Sequence, residues 1–331
     1  MNLQTAWWIF AAGFALLALG GEAVIRGGVM LKRALGISPV IIGLFVLSLG
    51  TASPTLAIAM QGAASRIPDL AIGAVLGATL INLLLILGLG ALIQPMSSAP
   101  KVVLRDGGAL LLASGVLVAL ALHGTIARRE GAALIGGFIL YAVIAAVTDW
   151  RRSADHSVAC AEAEKRATGE YPTIGGGLFV LTVGVICLLI GAHFLTGGAL
   201  NLAAQWNLPV STMAITLVAL AVSAPVLIVT VVAAARGHTE IAIGHLMTAS
   251  VFNLLGVLGI AALVRPLRVS PVFATTDVFV VLGASLLLVP LLSTSWRLSR
   301  PKAALLLLAY AGYIGYLAWR QGVLPRALGM A

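Results

Sequence analysis

The chain has 331 residues, of which 60% are hydrophobic and only 9% charged, with a net charge of +9. A soluble chain of this length places about a quarter of its residues in charged side chains, so the composition excludes a soluble domain. The 20 Lys and Arg fall in ones, twos and threes between apolar runs, with no aromatic interleaving and no basic face; that excludes a nucleic-acid surface.

Apolar runs of about 20 residues, each long enough to cross a hydrocarbon core about 30 Å thick, recur from end to end. In chain order the predicted spans are 7–25, 39–62, 70–93, 106–122, 131–149, 175–196, 210–235, 241–264, 272–292 and 303–319. Met1–Ala6 carries no Lys or Arg, and Trp7–Trp8 reads as an interfacial anchor, so the first span is expected to be retained rather than cleaved. The 37 glycines lie inside the spans, where helix–helix contact favours small residues. Cys160 falls in a charged loop and Cys187 in a span, so no disulfide framework is implied. The fold class expected is all-α integral membrane, with about ten transmembrane helices.

The longest polar stretch, RRSADHSVACAEAEKRATGEYP at 151–172, divides the spans into two sets of five. The expected organisation is a first half at 1–150, a linker at 151–172 and a second half at 173–331. Thirteen Lys and Arg lie on the side of the linker and seven on the other. The positive-inside bias places the linker in the cytoplasm and both termini outside a bacterial-type inner membrane.

Laid on itself at an offset of 171, the chain aligns Pro54 with Pro225, Gly73 with Gly244, Asn82 with Asn253 and Gly88 with Gly259. The stretches DLAIGAVLGATLINLLLILG (69–88) and EIAIGHLMTASVFNLLGVLG (240–259) match at nine of twenty positions. Five spans separate the copies, so the second enters from the opposite side. Two inverted-topology five-helix repeats of this kind point to a transporter with its site near the midplane. Helices 2 and 7 are expected to be interrupted at SLGTASPT (48–55) and ALAVSAPV (219–226), with Gly50, Pro54 and Pro225 as the breaks. Proline removes a backbone hydrogen bond, and freed carbonyls in a membrane belong where they face protein or a cavity. The repeat converges Thr51, Ser53, Thr55, Thr79, Asn82, Ser223, Ser250 and Asn253 on that region.

At these residues the sequence resembles the cation/Ca²⁺ exchanger superfamily, the Na⁺/Ca²⁺ exchangers and their prokaryotic relatives. Their two α-repeats read approximately G-T-S-x-P-E, then G-N-x-x-G-S-N-x-x-N/D on the next helix. Here they read GTASPT (50–55) with GAVLGATLIN (73–82), and AVSAPV (221–226) with GHLMTASVFN (244–253). LGISPVIIGLFVLSLG (35–50) and the glycine pairs at 27–28 and 197–198 also fit, so the likeness covers essentially all ten spans. It implies cation antiport by alternating access.

The departures bear on the substrate. The family's two Ca²⁺-binding glutamates are replaced by Thr55 and Val226. Thr51 and Ser223 match family hydroxyls, Ala52 and Val222 replace others, and Ala78 and Ala249 replace the serines of the following helices. Asn82 and Asn253 match the midplane Asn/Asp positions. Ca²⁺ takes six to eight oxygens, usually with carboxylates, and none is predicted here, so these changes argue against classical Ca²⁺ exchange.

The expected ion- or substrate-binding set is therefore Thr51, Ser53, Thr55, Asn82, Ser223 and Asn253, with Thr79, Ser250, His245 and Asp277 as secondary candidates. His245 stands where the family has asparagine, and packing or an interfacial hydrogen bond is favoured there over a proton-linked role; Asp277 is an acid inside a span, as compatible with an interfacial acid as with a proton carrier. Glu22 and Arg26 form an i,i+4 pair. The remaining acids, Asp106 among them, are assigned to loops or span ends. Na⁺, H⁺ or Ca²⁺ are the candidate substrates and the bilayer the surrounding partner. No cofactor, nucleic acid or resident metal is expected, and no nucleophile–base pair argues for an enzyme. Two alternatives stay open: a transporter of a neutral or anionic solute, and a non-transporting scaffold or sensor that has lost the ion site.

Overall fold

Proline and threonine start the helices. In the computed structural model, which describes residues 3–35, 39–150, 173–235 and 239–321, Pro68 and Pro100 occupy first helical positions, where a missing N–H leaves nothing unpaired. Thr173 caps another helix by accepting from the Gly176 amide at 3.1 Å. The resulting helices are α1 (Leu3–Leu35), α2 (Pro39–Ala64), α3 (Pro68–Ile93), α4 (Pro100–Leu122) and α5 (Arg128–Trp150) in the first half. The second half holds α6 (Ile174–Gln205), α7 (210–235), α8 (239–264), α9 (Phe273–Ser293) and α10 (Arg300–Arg320). Among the described residues nine helices are long and apolar enough to cross a bilayer, and the 26-residue α2 makes the tenth. The linker expected at 151–172 lies outside the described residues.

The repeat is visible in the irregularities. α3 contains a π-helical stretch at Ile81–Ile86 and α8 one at Phe252–Val257, 171 positions on. Two short β bridges tie the halves together: Met96–Ser97 pairs with Arg297–Leu298, and Thr125–Ile126 with Leu267–Arg268. The Ser98 amide donates to the Trp296 carbonyl and the Val269 amide to the Gly124 carbonyl, both at 3.0 Å, extending each clasp. Ser114 of α4 bonds Ser285 of α9 at 3.0 Å, so a residue meets its own repeat partner.

α1 and α6 run antiparallel against each other. Glycines at 13, 20 and 27 of α1 and at 184, 191 and 198 of α6 allow it: a Cβ at Gly13 would lie 2.3 Å from the Leu195 amide nitrogen, and one at Gly198 2.6 Å from that of Phe10. Trp7 and Trp206 meet edge-on at one end of the pair, with centroids 5.5 Å apart. Glu22 and Arg26 form the expected pair on α1, both more than half exposed. A second, larger apolar core unites the other eight helices.

Two expectations are revised. Pro54 and Pro225 lie inside helical segments that continue on both sides, so each interruption is a missing hydrogen bond rather than a gap. Asp106 does not sit in a loop or at a span end: α4 starts at Pro100, and Asp106 is 0% exposed within it. An apolar-run reading stops at charges, whereas the helix continues because Arg105 neutralises Asp106 beside it, Nε to Oδ1 at 2.6 Å.

Candidate functional site

Four helices build the centre: α2 and α7 with their prolines, α3 and α8 with their π-helical stretches. α2 packs on α7, on α8 and on the π stretch of α8, and α7 packs on the π stretch of α3. The closest crossing is at Gly77 of α3, where a Cβ would lie 2.4 Å from both the Ala219 Cβ and the Ile215 carbonyl oxygen of α7. Only glycine lets these backbones meet there.

Proline frees a carbonyl one turn back in each half, and the two are treated differently. Pro54 has no N–H for the Gly50 carbonyl, and the Ser53 hydroxyl donates to that carbonyl instead, at 2.5 Å. Pro225 likewise has none for the Ala221 carbonyl, but the repeat equivalent of Ser53 is Ala224, which has no hydroxyl to offer. The break at 221–225 therefore has no side-chain hydroxyl in the place of Ser53, and the buried Ser223 hydroxyl beside it makes no hydrogen bond among the described residues. Ala221, Ser223 and Ala224 line a cleft of about 360 Å³ whose other walls are apolar residues of α1, α3 and α7, including Phe14, Ile81 and Leu217.

Asn82 and Asn253 each occupy the second position of a π stretch. A π turn holds an extra residue and shifts the register of the following side chains, and it recurs at functional sites. Both side chains are buried, and both Oδ1 atoms lack a hydrogen-bond partner among the described residues. Two repeat-related amide oxygens and a serine hydroxyl thus lie in the interior without partners among the described residues.

The other expected residues divide. Thr51 is buried in α2, and its Oγ1 lies 3.3 Å from His245 Nε2 of α8, so the structure brings these two together across the halves. Thr55 is buried on the same helix. Thr79 donates to the Val75 carbonyl and Ser250 to the Leu246 carbonyl, each at 2.8 Å, so these repeat partners commit their protons to their own helices. Asp277 is buried on α9 but bonds to α10: the Tyr313 hydroxyl donates to Oδ1 at 2.8 Å, and Arg320 Nη1 lies 3.7 Å from Oδ2. Among the described residues no hydrogen bond joins it to the central set.

A further cluster was missed by the sequence reading. Asp106 receives Arg105 and the Tyr141 hydroxyl (3.1 Å), and Tyr141 also shares a hydrogen bond with Thr248 of α8 at 3.0 Å. Asp106 and Asp277 align at the offset of 171, but their partners Tyr141 and Tyr313 are 172 apart, and that one-residue slip hides the tyrosines from a fixed-offset comparison. Among the described residues no group of three or more His, Cys, Asp or Glu is placed to hold a metal ion.

Inverted halves that meet in oxygen-bearing, irregular helices define an inverted-repeat membrane transporter. The model of the sodium/calcium exchanger protein family matches residues 5–147 and 176–319, and the chain belongs to that family. It is an integral membrane protein and a secondary transporter of the exchanger type, not an enzyme. Among its relatives are the Escherichia coli inner membrane protein YrbG, 29% identical over 98% of this chain and 99% of the relative, and the putative antiporter CaxA of Alkalimonas amylolytica, 27% identical over 91% and 95%. The fold is similar to that of the sodium–calcium exchanger NCX_Mj, with a TM-score of 0.65 and 24% identity over 95% of this chain and 99% of that one.

Proposed function

We propose that the protein is a cation antiporter whose central site favours a monovalent ion such as Na⁺ over Ca²⁺. The observation that carries this is the pair of buried oxygens at Asn82 and Asn253 that find no partner among the described residues, with the Ser223 hydroxyl close to the π stretch of α3. Thr51 and Thr55 complete a neutral ligand set, and Ser53 serves it indirectly by occupying the Gly50 carbonyl. Burying one unit charge costs several kcal/mol even after relaxation. Neutral oxygens offset that for one charge far better than for two, and no carboxylate stands at 55 or 226.

The membrane is a bacterial-type inner membrane with both termini outside, a reading supported by the 13 to 7 distribution of Lys and Arg and by the inner-membrane relative. The halves are 1–150 and 173–331, and the linker 151–172 is cytoplasmic. The test is flux in proteoliposomes loaded with Na⁺, with Ca²⁺, H⁺ and a panel of anions offered singly. Na⁺ exchange without Na⁺-driven Ca²⁺ uptake is expected. Robust Na⁺-driven Ca²⁺ uptake overturns the ligand argument, anion flux moves the substrate class, and absence of Na⁺ flux overturns the monovalent-ion reading.

A further inference from the structure

We propose that Asp277 is a proton-binding site, separate from the central one, through which the pH outside regulates transport; the regulatory part rests on the cation-antiport reading, the proton binding does not. Two carboxylates are fully buried in the described spans, Asp106 and Asp277, and an acid inside a span is functional by default. Their surroundings differ in a way that assigns the proton. Asp106 has both oxygens engaged by Arg105, at 2.6 and 3.2 Å, and Oδ1 also accepts from Tyr141. Asp277 has one oxygen engaged by Tyr313, while Oδ2 is buried with no hydrogen bond among the described residues. The Arg320 guanidinium stands off at 3.7 Å, its side chain 20% exposed, so the ion pair is loose and reaches the protein surface on one side. Oδ2 is the vacant position for a proton, and Arg320 marks its route.

Few other groups bear on this titration. α10 contributes Tyr310, Tyr313 and Arg320, the last lying over the Tyr316 ring at 5.7 Å. α4 carries no titratable group between 107 and 122, with the exposed His123 past its end. α3 carries none between 70 and 93, and Asp69 lies in its first turn.

Protonation also has a short path to the centre. Asp277 ends the π stretch Phe273–Asp277. The Phe273 ring lies 3.1 Å from where a Cβ of Gly73 would be, and the Ala214 methyl of α7 lies 2.6 Å from the same point. Next to Arg320, Gln321 donates to Thr212 Oγ1 at 2.8 Å, at the start of α7. Both neighbours of the carboxyl, the π stretch and the end of α10, therefore touch the α3–α7 crossing. A proton taken from outside onto Oδ2 neutralises Asp277 and releases Arg320. The hold of α10 on α9 weakens, and with it the support of that crossing.

The experiment uses the full chain in lipid. Infrared difference spectra between about pH 5 and about pH 8 are expected to show a reversible protonated-carboxyl band that is absent in Asp277→Asn. In Arg320→Gln, which keeps the carboxyl, the transition is displaced by at least about one pH unit. Outer-pH dependence of cation exchange should flatten in Asp277→Asn, with no proton flux lost. An unchanged carboxyl band in Asp277→Asn overturns the proposal and leaves a structural ion pair. A band that disappears while the outer-pH profile stays as in the wild type overturns the regulatory part alone. Absence of cation flux in every variant fails the transport reading, while the infrared result still decides the site.

Discussion

Replacing Asn82 or Asn253 by leucine separates a transport site from helix–helix glue, because the two predict opposite changes in stability. Each asparagine buries an amide oxygen that finds no partner among the described residues, and such an orphan costs about 1–3 kcal/mol. Leucine has nearly the same shape, removes the orphan and adds apolar contact in a fully enclosed position. Asn82→Leu and Asn253→Leu are therefore expected to unfold at or above the wild-type temperature in detergent, gaining up to about 3 kcal/mol. An interaction with a charge is worth about 1.5–3 kcal/mol, so loss of one oxygen ligand lowers cation affinity by about tenfold to a hundredfold. Thermal unfolding in detergent and Na⁺ flux in liposomes are measured on the same preparations. Destabilisation by more than about 2 kcal/mol refutes the reasoning, since it means the oxygens held helices together. So does unchanged flux in both variants.

Two further expectations follow from the packing. Gly77→Ala should destabilise the fold by about 1–3 kcal/mol and slow transport, because its Cβ meets backbone of α7 at 2.4 Å; Gly115→Ala, with open space around it, should be neutral or raise stability by about 0.5–1 kcal/mol, and thermal unfolding of both tests the contrast. Arg105→Ala should cost about 3–5 kcal/mol by stranding the buried Asp106, and adding Asp106→Ala should recover part of that loss in a double-mutant cycle read by detergent melts.

The sequence made the large features legible because the repeat registers residues that cannot drift. Asn82 with Asn253 and Pro54 with Pro225 align at one offset, and the structure adds the π stretches of α3 and α8 at that same offset. Other features were out of reach for physical reasons. Counting apolar residues trims a span at its charges, so Asp106 was read as a boundary, although an adjacent arginine allows the acid to go inside. Proline signals a lost hydrogen bond but not what replaces it, so only the fold shows the Ser53 hydroxyl turned onto the Gly50 carbonyl. Hydroxyls read alike in sequence, yet Thr79 and Ser250 turn back on their own helices, while Ser223 does not. The glycines of α1 and α6 recur every seven residues, but only the structure shows that they face one another.

The contact between Ser114 and Ser285 has a geometric meaning that its modest strength conceals. A residue that touches its own counterpart must lie on the line about which the halves interchange. From either face of the membrane that spot looks the same. Exchanging the two halves leaves the contact where it is, so it belongs to neither half and a change at one serine is felt equally by both.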